Sequence, residues 1–131
     1  MRMNKLFTVL LLSVAVFLSG CRTAPIYNVE NAPVDTASKT IKLSDMTKAI
    51  KDAAVGLGWM TKTVKPGHIV ATLSVRAHVA VVDIRYTTKT YSISYKDSVE
   101  LKYDGTNIHS NYNSWVKNLD SRIRIQINSM L

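Results

Sequence analysis

The amino-acid sequence predicts an α+β domain: an antiparallel meander of three to five strands, with an N-terminal and a C-terminal helix packed on one face. Two observations predict it. The apolar period is near 3.6 residues around 44–57 and again from about 110 onward. Between them, from Trp59 to Tyr103, it is two. A helical pattern, a run of alternating segments and a second helical pattern describe a sheet with helices laid against it.

The first helix is expected at 44–57. Ser44 reads as its N-cap, and Asp45 stands in the first turn, where the helix dipole favours an anion. Met46, Ile50, Ala53, Ala54 and Leu57 share one face, and Gly58 follows as a C-terminal cap. Pro66-Gly67 then marks a turn. Beyond it Ile69, Ala71, Leu73 and Val75 alternate with Val70, Thr72, Ser74 and Arg76, but further on the even positions are apolar: Ala80, Val82, Ile84 and Tyr86. A strand cannot change face without a break, so the phase switch predicts a tight turn or bulge near Arg76–Val79. Thr87-Thr88-Lys89 supplies the next turn. Tyr91, Ile93 and Tyr95 mark a half-buried strand, and Val99, Leu101 and Tyr103 suggest another before Asp104-Gly105. In the last helix Tyr112, Trp115, Val116, Leu119, Ile123, Ile127 and Met130 form one stripe, with Asn118, Asp120, Arg122 and Arg124 expected on the surface. Trp59 and Trp115 are expected in the core.

The start of the chain carries a different signal. Arg2 and Lys5 precede an apolar run from Leu6 to Leu18. That is short of the roughly 20 residues a membrane-spanning helix needs, and a basic start followed by a short apolar stretch is the pattern of a cleaved signal. Leu18-Ser19-Gly20-Cys21 resembles the lipobox of bacterial lipoproteins. The thiol of Cys21, the single cysteine of the chain, would take up a diacylglyceryl group, and its freed amine an acyl chain. Two such anchors hold a protein at a membrane stably. Arg22 stands where an aspartate commonly retains Gram-negative lipoproteins in the inner membrane. The resemblance therefore implies an outer-membrane address facing the periplasm, ahead of an inner-membrane one.

On this reading residues 1–20 are removed, 21–40 are the lipidated cysteine and a tether, and 41–131 form a single domain. Pro25, Pro33 and scattered Thr, Ala and Asn suit the tether, although Ile26, Tyr27 and Val29 are compatible with a short edge strand. The mature chain keeps 15 basic and 9 acidic residues, a formal charge of +6 once Arg2 and Lys5 are gone. In the envelope such charge points to anionic head groups, lipopolysaccharide or peptidoglycan carboxylates rather than to nucleic acid. With Cys21 acylated, neither a disulfide, a thiol nucleophile nor a cysteine-bound zinc is available.

Ile108-His109, Tyr112-Asn113, Trp115 and Leu119 resemble a pattern of short Gram-negative lipoproteins of uncharacterised function. The likeness extends upstream through Gly67, Ile69, Arg76, His78, Ile84, Tyr86, Tyr91 and Tyr95. It implies the compartment and the lipid, and no activity. His68, His78 and His109 lack the spacing of a metal site, no serine stands in a Gly-rich elbow, and no pair of near carboxylates suggests acid–base work. No enzyme, metal or cofactor is expected. The candidate recognition residues are His109, Tyr112 and Asn113 at the entry to the last helix, and Val70, Val79 and Val81 on the sheet face away from the core. The expected role is non-catalytic: binding or scaffolding an envelope protein or peptidoglycan. A binder or inhibitor of a soluble cell-wall-active protein is the alternative.

Overall fold

A computed structural model describes residues 22–35 and 39–131. The elements run in the order β1 (Thr23–Pro25), β2 (Val29–Pro33), α1 (Leu43–Gly56), β3 (Met60–Lys65), β4 (His68–Val75), β5 (His78–Tyr86), β6 (Thr90–Val99), β7 (Asn107–His109) and α2 (Ser110–Asn128). The fold is α+β. A five-stranded antiparallel sheet has the order β2-β6-β5-β4-β3, and β1 pairs with β7 in a separate two-stranded ladder.

The alternation read from the sequence becomes a row of side chains that crosses the whole sheet. Val29 lies opposite Ile93, Ile93 opposite Ile84, Ile84 opposite Ile69, and Ile69 opposite Thr63. Its four apolar members are buried, and with Ala71, Leu73, Ala80, Val82, Tyr86 and Tyr91 they form the sheet's half of the core. Met46, Ala49, Ile50, Ala53 and Ala54 from α1 and Tyr112, Val116, Leu119, Ile123 and Ile127 from α2 form the other half. Burying each large apolar side chain contributes about 1.5–3 kcal/mol, so the shared core is what holds the helices on this face. The phase switch also appears as expected. Val75 pairs with His78 around a two-residue turn, Arg76-Ala77, with Arg76 at φ 57°.

The cap chemistry of α1 is shifted by two residues from the expected one. The N-cap is Lys42 rather than Ser44, and the Asp45 carboxylate accepts from the Lys42 N–H at 3.1 Å. At the other end Gly58 takes φ 89°, its N–H donates to the Val55 carbonyl, and the Trp59 N–H donates to that of Ala54. This is a Schellman motif, which needs a residue tolerant of the left-handed region at Gly58. Gly67 is more tightly constrained: its φ is 85° and a Cβ there would lie 2.9 Å from the Tyr86 carbonyl oxygen.

Four further expectations are corrected. The segment expected as a tether is part of the fold: β1 and β2 lie within it, and Val29, Ala32 and Val34 are buried. Val99–Tyr103 does not make a separate strand. β6 runs on to Val99 past a bulge at Lys96, and Glu100 and Lys102 turn into left-handed backbone. Asp120, expected on the surface, is 8% exposed. It accepts from the Tyr91 hydroxyl at 2.5 Å and from Arg124 at 3.2 and 3.4 Å. Trp59 is buried as expected, whereas Trp115 is only partly buried, against Leu57, Trp59 and Leu73.

What ties the N-terminal segment down is the side chain of Asn113. Its amide donates to the Pro25 carbonyl at 2.9 Å, and its oxygen accepts from the Tyr27 N–H at 2.9 Å. Asn113→Ala leaves both backbone groups without their partner, one of them a partly buried N–H, and should cost about 2–3 kcal/mol of unfolding free energy. Chemical denaturation of the variant checks this; a loss below about 0.5 kcal/mol, as for an ordinary surface change, would mean that residues 22–34 are not held as described.

Candidate functional site

The sequence-derived candidates fall into two separate places. Val70, Val79 and Val81 all point away from the helices, each partly buried. Their cross-strand neighbours complete the outer face: Lys62 and Asp83 flank Val70, while Thr72 and Asp97 flank Val81. Met60, opposite Thr72, is 71% exposed. At the far end of this face the His68 ring lies 2.6 Å from the Asp83 carboxylate, with Arg85 at 3.8 Å from its second oxygen. The outer face is thus an apolar centre with a charged rim, and among the described residues no helix covers it.

His109, Tyr112 and Asn113 lie at the start of α2, but they do not form one accessible pocket. Tyr112 is wholly buried, packed edge-on against Tyr95 with ring centroids 5.8 Å apart, and among the described residues its hydroxyl has no hydrogen-bond partner. Burial pushes its phenol well above the ordinary range. Asn113 is occupied with the backbone of the N-terminal segment. These two positions are used for packing, and only His109 keeps an exposed edge.

His109 is the N-cap of α2. Its Nδ1 accepts from the Asn111 N–H at 3.1 Å, so the ring carries its proton on Nε2. The His78 ring lies 5.7 Å away, and His78 Nδ1 bonds the Glu100 carbonyl oxygen at 2.8 Å. Burial of the ring, then the charges of His78, Lys102 and Arg22, hold the His109 pKa below the usual histidine value. A proton on Nδ1 would also break the cap and place a positive charge at the helix's positive end. Sequence reasoning found His109 but missed its neighbours. The turn it placed near Arg76 already put His78 at one end of the sheet; which loop lay beside it depended on the course of residues 100–109.

Among the described residues, cavities also lie beside the helices. One of about 120 Å³ adjoins Tyr91 and Arg124 and is lined also by Pro33, Val34, Ile127 and Asn128. The Tyr91 phenol, raised by burial and by Asp120, stays protonated at neutral pH and donates its hydrogen to Asp120, so this polar group links β6 to α2. A shallow apolar groove of about 330 Å³ runs between Leu43, Ser44 and Thr47 of α1 and Thr63 and Pro66. Among the described residues no three His, Cys, Asp or Glu side chains stand close enough to share a metal ion. Nor, among them, is a histidine hydrogen-bonded to a hydroxyl nucleophile. Cys21 and the rest of the lipobox lie outside the described residues. No protein-family model, curated protein or solved structure matches this chain.

The His109 geometry makes stability pH-dependent with a definite sign. Because the folded pKa lies below the unfolded one of about 6.5, the unfolded chain binds more protons as the pH drops. The contribution is complete above about pH 6.5 and is lost as the pH falls from there towards the depressed folded value. Unfolding measured from neutral pH to about pH 5 should show this decline. His109→Asn, which keeps a capping side chain without titrating, should flatten it; an unchanged slope in that variant would assign the titration to another group.

Proposed function

We propose that this chain is a lipid-anchored, non-catalytic component of the Gram-negative envelope. It is held at the periplasmic face of the outer membrane by acyl chains on Cys21, and it binds or scaffolds another envelope component. The observation that carries the reading is that Arg22 is already part of the fold. Arg22 already accepts a hydrogen bond from the Ser110 N–H at 2.9 Å, and β1 starts at Thr23. A lipid on residue 21 would therefore be joined to the domain by a single peptide bond, with no spacer for wide search. Such an attachment suits a component that presents one face to a neighbour at the membrane. The outer sheet face, with Val70, Val79, Val81 and Met60, is the surface offered for that contact.

Two experiments test it. Cys21→Ser removes the thiol that takes the lipid, so acylation should cease and the uncleaved precursor should accumulate. Mass spectrometry of the N-terminal peptide decides the matter, and an unmodified Cys21 in mature wild-type protein would sink the anchor. A photo-crosslinker placed at Thr72 should trap an envelope protein or peptidoglycan in intact cells; labelling no stronger there than at exposed Lys89 would remove the outer face from the proposal.

A further inference from the structure

The geometry points to a specific surface for anionic phospholipid head groups at the end of the sheet where the chain would leave its anchor. This rests on the lipid-anchor reading and deepens it, by naming which part of the domain lies on the membrane and what it touches. The position follows from connectivity. Consecutive Cα atoms are about 3.8 Å apart, so an acylated Cys21 fixes Arg22 at the level of the head groups. The Arg22 carbonyl bonds Ser110, the His109 N–H donates to the Leu101 carbonyl, and the Glu100 carbonyl bonds His78. Through these bonds the start of α2, the 100–104 loop and the β4–β5 turn all gather around the first described residue.

The chemistry of that end suits a head-group layer. Arg22, Arg76 and Lys102 are all exposed there. Beside them, Val75 is 37% exposed, Val99 51% and Tyr103 38%. Val75 and His78 close the β4–β5 hairpin, and Val99 pairs with Val79 one step further in. Tyr103 stacks on Tyr95 with ring centroids 4.0 Å apart, which fixes its ring in place. Exposed aliphatic groups, a tyrosine and cations together are what the water–lipid interface favours, because the apolar groups enter the boundary while the charges meet phosphate. Two acidic residues share this end. The Asp104 carboxylate accepts from the Thr106 and Asn107 N–H groups and stays ionised, so three cations stand against two carboxylates, Asp104 and Glu100, and this end keeps a positive excess. At an anionic surface each cation adds roughly a fivefold preference, which salt screens away.

The test uses the full lipidated chain, extracted in detergent and reconstituted into vesicles of phosphatidylcholine alone or with phosphatidylglycerol. The mass of the N-terminal peptide is read first, then backbone hydrogen exchange. Segments containing Arg76–His78 and Leu101–Asp104 should exchange severalfold more slowly in the anionic vesicles. The difference should vanish in about 1 M salt, where the Debye length is about 3 Å. The double variant Arg76→Gln, Lys102→Gln should keep its lipid and lose the difference. Lipidated protein with equal exchange in both vesicles would overturn the head-group surface and leave the anchor standing. An unmodified Cys21 would overturn both. Slow, concentration-dependent exchange already in detergent would show a second copy covering this end and would overturn the head-group assignment.

Discussion

The carboxamide of Asn113 is the constraint on which most of the structure depends. One side chain satisfies the Pro25 carbonyl and the Tyr27 N–H together, and so fixes the chain between β1 and β2. With that stretch fixed, β1 reaches β7 and β2 reaches the edge of β6. The buried Val29, Ala32 and Val34 then extend the core beyond β6. Because Asn113 belongs to α2, the N-terminal segment and the C-terminal helix are locked to each other as well as to the sheet. Anything attached before Arg22 consequently acts on a folded body and not on a loose leader.

The helices are held by two kinds of contact with different consequences. The apolar stripe supplies the bulk of the attraction but little direction. The polar links supply direction: Tyr91 to Asp120 ties β6 to α2, and the Thr47 and Tyr86 hydroxyls, 2.5 Å apart, tie α1 to β5. A buried carboxylate is costly unless paired and hydrogen-bonded. Asp120 has the Arg124 guanidinium one turn along its own helix and the Tyr91 phenol from β6, so the register that brings Tyr91 to it is the favourable one. Tyr112, by contrast, buries its hydroxyl without a partner among the described residues, and its ring is kept for packing.

Much of this was legible in the sequence, because the relevant signals are local. Both helices, the Pro66-Gly67 turn and the break near Arg76 follow from period and phase. The outer position of Val70, Val79 and Val81 follows from the same alternation. What was missed depends on partners far along the chain. β1 and β2 are short, carry Pro25 and Pro33, and bend at Asn31, which takes φ 49°. Prolines are tolerated there because both strands lie at edges. Nothing within those residues shows that Asn113, more than eighty positions on, completes their bonding. The alternation of Val99, Leu101 and Tyr103 imitates a strand, but Glu100 and Lys102 adopt left-handed backbone and break it. Asp120 and Arg124 look like an ordinary surface pair at i, i+4 until Tyr91 arrives from another strand. At the candidate site His109 was visible as the helix entry, whereas the convergence of His78, Lys102 and Arg22 upon it required the fold.

The central proposal is that Arg22, the residue after the proposed anchor, already belongs to the folded body, with one end of the sheet held towards the membrane. Paramagnetic broadening of backbone amide signals measures this most directly, using the lipidated chain in nanodiscs that contain gadolinium-chelating head groups. β5 advances about 3.3 Å per residue, so the Pro66-Gly67 and Thr87–Lys89 turns lie roughly 25 Å from the β4–β5 turn. The account predicts strong broadening at residues 22–25, 76–78 and 100–110 and none at those distant turns. Weak broadening spread evenly over the whole surface, as a domain swinging on a flexible leader would give, would contradict it.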